Sequence, residues 1–162
     1  MVIMQIKCTI WSLTLLALAL PGGPALAEGE IDLNAGPALA EIGTEELRGL
    51  IDKSNPALVL VDARGPEVYA QGHLPRAINL PADRVEAMGP ALPKEAEIVV
   101  YCGSPQCPHS TVVARWLMER GWPHVRHYAE GWAGWTAAGG AVETGPGPNA
   151  GRHASDYWMG RR

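Results

Sequence analysis

The sequence has no phenylalanine and spends tryptophan and tyrosine instead. The aromatic share of any core therefore falls to side chains with a polar handle, and Trp116, Trp122, Trp132 and Trp135 are expected to fill the core or the rim of a pocket. Basic residues are few: 13 Lys and Arg stand against 17 Asp and Glu, a net charge of −4, with no basic stripe or charge run. That balance disfavours nucleic acid as a partner. The apolar stretch 10–20 falls short of the roughly 20 residues that a bilayer span requires, and no internal repeat is visible. Cysteine is confined to Cys8, Cys102 and Cys107. None of them makes the C-x-x-C spacing of thioredoxin-like or zinc sites.

Residues 1–27 carry one positive charge at Lys7, the apolar run, a Pro21-Gly22-Gly23-Pro24 break and then Ala25-Leu26-Ala27. This is the pattern of a secretory signal peptide cleaved before Glu28, with Cys8 leaving along with it. The mature protein is expected to be periplasmic or secreted, with no stable membrane span. Residues 28–41 read as an extended lead-in and 42–143 as one domain. Residues 144–162 read as a Gly/Pro-rich linker and a C-terminal tail, disordered, that carries Trp158 and Met159.

Within the domain, strands alternate with helices. Thr44 is placed to cap a helix over 45–52, with Leu47, Leu50 and Ile51 on one face. Ala57 to Val61 is a continuous apolar run suited to a strand buried on both faces, and Asp62-Ala63-Arg64 lies at its end. A short helix over 67–71, a short strand over 77–80, a weak helix over 83–88 and a strand over 97–101 follow. The next helical pattern opens at Ser110-Thr111 and stops at Gly121, with Val112, Val113, Trp116 and Leu117 facing inward. A strand over 125–128 and a helix over 131–138 complete the domain. The alternation implies an α/β fold with a mainly parallel sheet and right-handed crossovers.

The chemistry concentrates between the strand 97–101 and the helix after it. Cys102 stands at the strand's carboxyl end, where open α/β sheets bind their ligands. The N–H groups of a loop that runs into a helix lower a thiol pKa, to about 3.5–7.5 in reactive sites. Gly103, Ser104, Pro105, Gln106, Cys107, His109 and Ser110 form the loop and its exit, and His109 is its one side chain able to carry positive charge. Three readings of Cys107 stay open: it resolves an intermediate on Cys102, it forms a protective disulfide, or it is unpaired, depending on whether the Cα atoms come within about 7 Å. Arg64, near the same pocket, either holds an oxyanion in bidentate fashion or pairs on the surface. Asp62 is expected to cap the following turn and His73 to make a structural hydrogen bond.

Leu60-Val61-Asp62-Ala63-Arg64, Glu67, Tyr69, Gly72-His73-Leu74-Pro75 and Ala77-Ile78-Asn79-Leu80-Pro81 resemble the N-terminal signature of rhodanese-like (thiosulfate sulfurtransferase-like) domains. Val99-Val100-Tyr101-Cys102 resembles the family's active-site strand, and 114–121 and 128–135 its later helix and closing segment. The resemblance covers about 42–143. It implies a five-stranded parallel sheet flanked by helices and a loop cysteine, here Cys102, that carries a persulfide. Sulfane sulfur passes from a small donor to this thiolate and on to cyanide or a thiol, with a protein thiol as one such acceptor; apart from the resemblance, the chain is expected to be a monomer whose site needs no metal and no cofactor.

The loop departs from the family pattern. Typical members place a basic residue and then Ser or Thr after four residues, where this chain has Cys107 and Pro108. Without Arg or Lys in the loop, the donor stays open and thiosulfate is not implied. The leading expectation is an exported sulfurtransferase acting through Cys102. The alternatives are a thiol–disulfide redox or sulfur-carrier protein using the Cys102/Cys107 pair, and a non-catalytic binding module on the same fold. Phosphatase or arsenate chemistry ranks last, because its basic residue is missing.

Overall fold

Apolar runs too short for helices, separated by helical patterns, call for a parallel sheet with helices on both faces. The computed structural model, which describes residues 38–149, has that arrangement. Its strands are β1 (Ala40–Glu41), β2 (Leu58–Asp62), β3 (Ile78–Asn79), β4 (Glu97–Tyr101) and β5 (Val125–Tyr128). They lie in the order β1-β5-β4-β2-β3, each neighbouring pair parallel. The helices are α1 (Thr44–Asp52), α2 (Pro66–Gln71), α3 (Val85–Met88), α4 (His109–Glu119) and α5 (Gly131–Ala137). The protein is a single α/β domain built on a five-stranded parallel sheet. Among the described residues, no helix is long and apolar enough to cross a membrane.

The two-residue period of the strands sorts their side chains between two cores. Val59, Val61, Ile98 and Val100 pack with Val85 of α3 and Val113, Ala114 and Leu117 of α4. Leu58, Leu60, Val99 and Tyr101 pack with Leu47 of α1, Tyr69 of α2 and Trp135 of α5. Each fully buried side chain of this size stabilises the fold by about 1.5–3 kcal/mol. The central strands β2 and β4, buried almost throughout, anchor the domain.

Lacking phenylalanine, the core must satisfy polar atoms inside it. Tyr69 donates its hydroxyl to the Ala77 carbonyl at 2.6 Å, and the Tyr101 hydroxyl accepts the Leu74 N–H at 3.1 Å. Tyr128 shares a hydrogen bond with the Thr44 hydroxyl at 2.8 Å, and the Trp135 indole donates to Ala141 at 2.7 Å.

Three local expectations need correction. Thr44 does not cap α1: it is the first helical residue, Gly43 holds the cap position, and the threonine hydroxyl is taken by Tyr128. Val112 is 49% exposed, because the face of α4 packed on the sheet is Ser110, Val113, Ala114 and Leu117, and the helix begins at His109. The strand β1 lies inside the stretch read as lead-in, where Ala40 and Glu41 pair with Arg126 and His127 of β5. Residues 144–149, read as linker, lie against the domain. The Gly145 N–H donates to Ala70, a side chain at Gly147 would collide with the Tyr69 hydroxyl, and Asn149 exchanges hydrogen bonds with the Asn79 backbone. Both glycines have positive φ, which lets the chain turn back. The stretch expected to be a signal peptide, with Cys8, the lead-in up to residue 37, and Trp158 and Met159 lie outside the described residues.

Candidate active site

In an open parallel sheet, ligands bind beyond the carboxyl ends of the strands where the chain's direction of progress reverses. Here β2 leads outward to β3 and β4 leads the other way to β5, so the reversal lies between β2 and β4. Asp62 is in register with Tyr101, and the Ala63 N–H donates to the Tyr101 carbonyl at 2.9 Å. The segments that leave these two strands, 63–65 and 102–108, therefore emerge side by side.

Cys102 is 2% exposed at the base of the loop. Its carbonyl accepts the Trp132 N–H at 2.8 Å, and the Gly103 carbonyl accepts the Ala133 N–H at 2.9 Å, so the first turn of α5 clamps the loop's first two residues. This approach requires a glycine at 131. Its φ is +59°, and a Cβ there would lie 2.5 Å from the Cys102 oxygen and 3.2 Å from the Ser104 nitrogen. The chain then turns through exposed Pro105 and Gln106, closed by the Cys107 N–H donating to Ser104 at 3.0 Å.

That turn brings the Cys107 Cα to 6.1 Å from the Cys102 Cα, and the two sulfurs are joined in a disulfide. Pairing is thus the state of Cys107 here, one of the three outcomes that spacing alone leaves open. His109, exposed at the start of α4, completes a cluster in which one of its ring nitrogens and both sulfurs lie within 4.8 Å of one another. Two sulfurs and an imidazole are donors that suit a soft or borderline metal ion. The sulfurs are free to ligate only when the disulfide is open, since the thiolate is the ligand.

The loop thus gathers Cys102, Gly103, Ser104, Cys107 and His109, with Pro105 and Gln106 at its tip. Ser110 is turned elsewhere: it is buried, and its hydroxyl shares a hydrogen bond with His127 Nε2 at 2.9 Å. Burial lowers the His127 pKa, an effect the Glu41 carboxylate partly opposes.

Arg64 is neither a surface residue nor an open anion clamp. It is 7% exposed and donates to Asp62 in bidentate fashion, with its closest contact at 2.6 Å, and to the Gly72 carbonyl at 2.6 Å. Its guanidinium lies 4.9 Å from the centre of the Trp132 ring, and a Cβ on Gly103 would meet its Cδ at 3.8 Å. Burial acts to lower the Arg64 pKa, but the hydrogen bonds and charge of Asp62 outweigh it and the net shift is upward. Burial, and after it the same carboxylate, hold the Tyr101 phenol well above its usual range. Asp62 also accepts the Arg64 N–H at 2.9 Å, the turn-capping role expected of it. His73, fully buried, stacks on Tyr69 at 3.8 Å and bonds the Tyr69 carbonyl at 3.0 Å.

Two parts of this constellation escape sequence reading. Gly131, between a strand and a helix, carries a signal in its position, since a glycine there marks a turn of positive φ. The Ser110–His127 pair carries none, because it joins residues far apart on different elements.

The family model described as Rhodanese-like domain matches residues 43–138. A sulfurtransferase of Allochromatium vinosum is 31% identical over 99 residues, which cover 61% of this chain and 90% of that protein. An HTH-type transcriptional regulator of Mycobacterium tuberculosis is 32% identical over 88 residues, covering 54% of this chain but 38% of the regulator. Among solved structures, a protein of Bacillus halodurans aligns with a TM-score of 0.61 at 30% identity, over 65% of this chain and 77% of that one.

Proposed function

The chain belongs to the rhodanese-like domain family, a sulfurtransferase-type family, and from that premise we propose that it is an exported sulfurtransferase working through a Cys102 persulfide. Cys102 as a thiolate attacks the sulfane sulfur of a small donor, the donor's remaining fragment departs, and the sulfur passes to a thiol or cyanide. The observation that carries this reading is the position of Cys102 at the end of the central strand β4, beside the reversal between β2 and β4. The loop's backbone supports it, because the α5 N–H groups that hold the Cys102 and Gly103 carbonyls keep the cysteine in one place. Arg64 acts as a structural support for this site, its charge being matched by Asp62.

Mass spectrometry of the reduced Cys107→Ser protein, in which Cys102 has no neighbouring thiol, after exposure to a sulfane donor tests the assignment. One added sulfur atom on the Cys102 peptide, absent from Cys102→Ser, is the expected result; sulfur uptake that survives Cys102→Ser overturns it. Export rests on the signal-like pattern of residues 1–27, and a mature N-terminus at Glu28 in the exported product is its test.

The closed disulfide favours a second reading, a dithiol–disulfide protein that exchanges electrons with other thiols and carries no sulfur. A protein that cycles between disulfide and dithiol with thiol reductants, yet takes up no sulfur from any donor, fits this reading and not the first.

A further inference from the structure

Cys107 stands where the family pattern has a basic residue, and it reaches the sulfur atom on which a persulfide would be built. We propose that Cys107 is a resolving thiol that reduces the Cys102 persulfide and releases hydrogen sulfide, an inference that rests on the persulfide reading above. The disulfide defines the direction of attack. Cys107 Sγ bonds to Cys102 Sγ, the inner sulfur of a persulfide, whereas an external acceptor must take the outer one.

The step balances. The Cys107 thiolate attacks Cys102 Sγ, the bond between that atom and the outer sulfur breaks, and the outer sulfur leaves as hydrosulfide. The two cysteine sulfurs give up two electrons and become the disulfide, and the sulfane sulfur takes them up. A dithiol reductant then attacks the disulfide and leaves as its own cyclic disulfide, restoring both thiols. The more exposed Cys107 is the sulfur such a reductant reaches first, since Cys102 is buried. His109, with a ring nitrogen within 4.8 Å of both sulfurs, is positioned to protonate the departing hydrosulfide.

Competition favours this route. A well-oriented group in the same molecule acts at an effective concentration of about 10⁵ M or more, far beyond any dissolved thiol or cyanide. The loop also holds no arginine or lysine to retain an anionic donor: residues 103–108 contain neither, and Arg64 is paired with Asp62.

Reduced, desalted full-length protein mixed with one equivalent of glutathione persulfide provides the test. Expected are stoichiometric sulfide, a Cys102–Cys107 disulfide and no retained sulfur for the native chain. Cys107→Ser should hold the sulfur on Cys102 and lose the sulfide burst, and Cys107→Ala should do the same. His109→Gln should slow sulfide release without reducing sulfur uptake by the Cys107→Ser background. A native chain that keeps its persulfide beside a free Cys107 thiol overturns the resolving role and leaves the persulfide reading intact. Failure of folded Cys107→Ser and Cys107→Ala to take up any sulfur overturns both. The disulfide spans only 5 positions, and the chain-entropy stabilisation of a disulfide grows with the loop it closes, so the variants are expected to fold.

Discussion

Replacing Gly131 by alanine tests how the loop base is built. At φ +59° an alanine pays the left-handed penalty of about 1–2 kcal/mol. It also places a methyl group 2.5 Å from the Cys102 oxygen, 3.1 Å from its carbonyl carbon and 3.2 Å from the Ser104 nitrogen. All three are backbone atoms, so relief requires moving the chain, at about 1–3 kcal/mol. Separating α5 from the loop also weakens the Trp132 and Ala133 hydrogen bonds, each contributing about 1 kcal/mol. The expected loss is about 3–5 kcal/mol, a large part of the 5–15 kcal/mol typical of a domain. Gly121 and Gly139 supply controls, with φ of +86° and +71° and nothing within 4 Å of an added Cβ. Alanine at either should cost only the conformational share, about 1–2 kcal/mol. Urea denaturation, extrapolated linearly to water, measures all three. Equal losses at 121, 131 and 139 would refute the close approach between Gly131 and the cysteine loop.

Arg64→Met should destabilise the protein by about 3–5 kcal/mol, since it leaves the fully buried Asp62 carboxylate unpaired. Urea unfolding of an Asp62→Asn/Arg64→Met double variant should recover much of that; a double variant as unstable as the single would contradict the buried-pair account. His127 provides a pH test. Its folded pKa lies below the unfolded value of 6.5, so its contribution is complete above that pH and is lost as the pH falls from 6.5 through the folded pKa. His127→Gln should therefore gain on the native protein in acid denaturation profiles, and parallel profiles would remove the assignment. Asn149→Ala removes two hydrogen bonds to Asn79 and should cost about 1–2 kcal/mol; an unchanged urea midpoint would mean that 144–149 does not hold to the domain in solution.

The central strands are legible in the sequence because Leu58 to Val61 and Ile98 to Val100 are unbroken apolar runs, which a strand covered on both faces requires. β1 is not, since two residues display no periodicity and only pairing with β5 defines them. The inward face of α4 is misread because two apolar stripes overlap on it, sharing Val113 and Leu117, and only packing against the sheet selects the one with Ser110 and Ala114 over the one with Val112 and Trp116. Cys102's place at the strand end follows from local pattern. Its bond to Cys107 depends on the turn at Ser104, which the residue types alone leave open. Arg64 shows the limit most clearly: its partner Asp62 is two residues away, but the Gly72 carbonyl and Trp132 that complete its setting come from elsewhere in the chain.

The two sulfurs of the disulfide are held by different parts of the fold. Cys102 is bound at its base by the start of α5 and buried beneath the loop, while Cys107 rides on a turn held through Ser104. The sulfur–sulfur bond therefore closes a small ring over residues 103–106 that joins the end of β4 to the approach to α4, and neither of its sulfurs belongs to the two cores that hold the sheet.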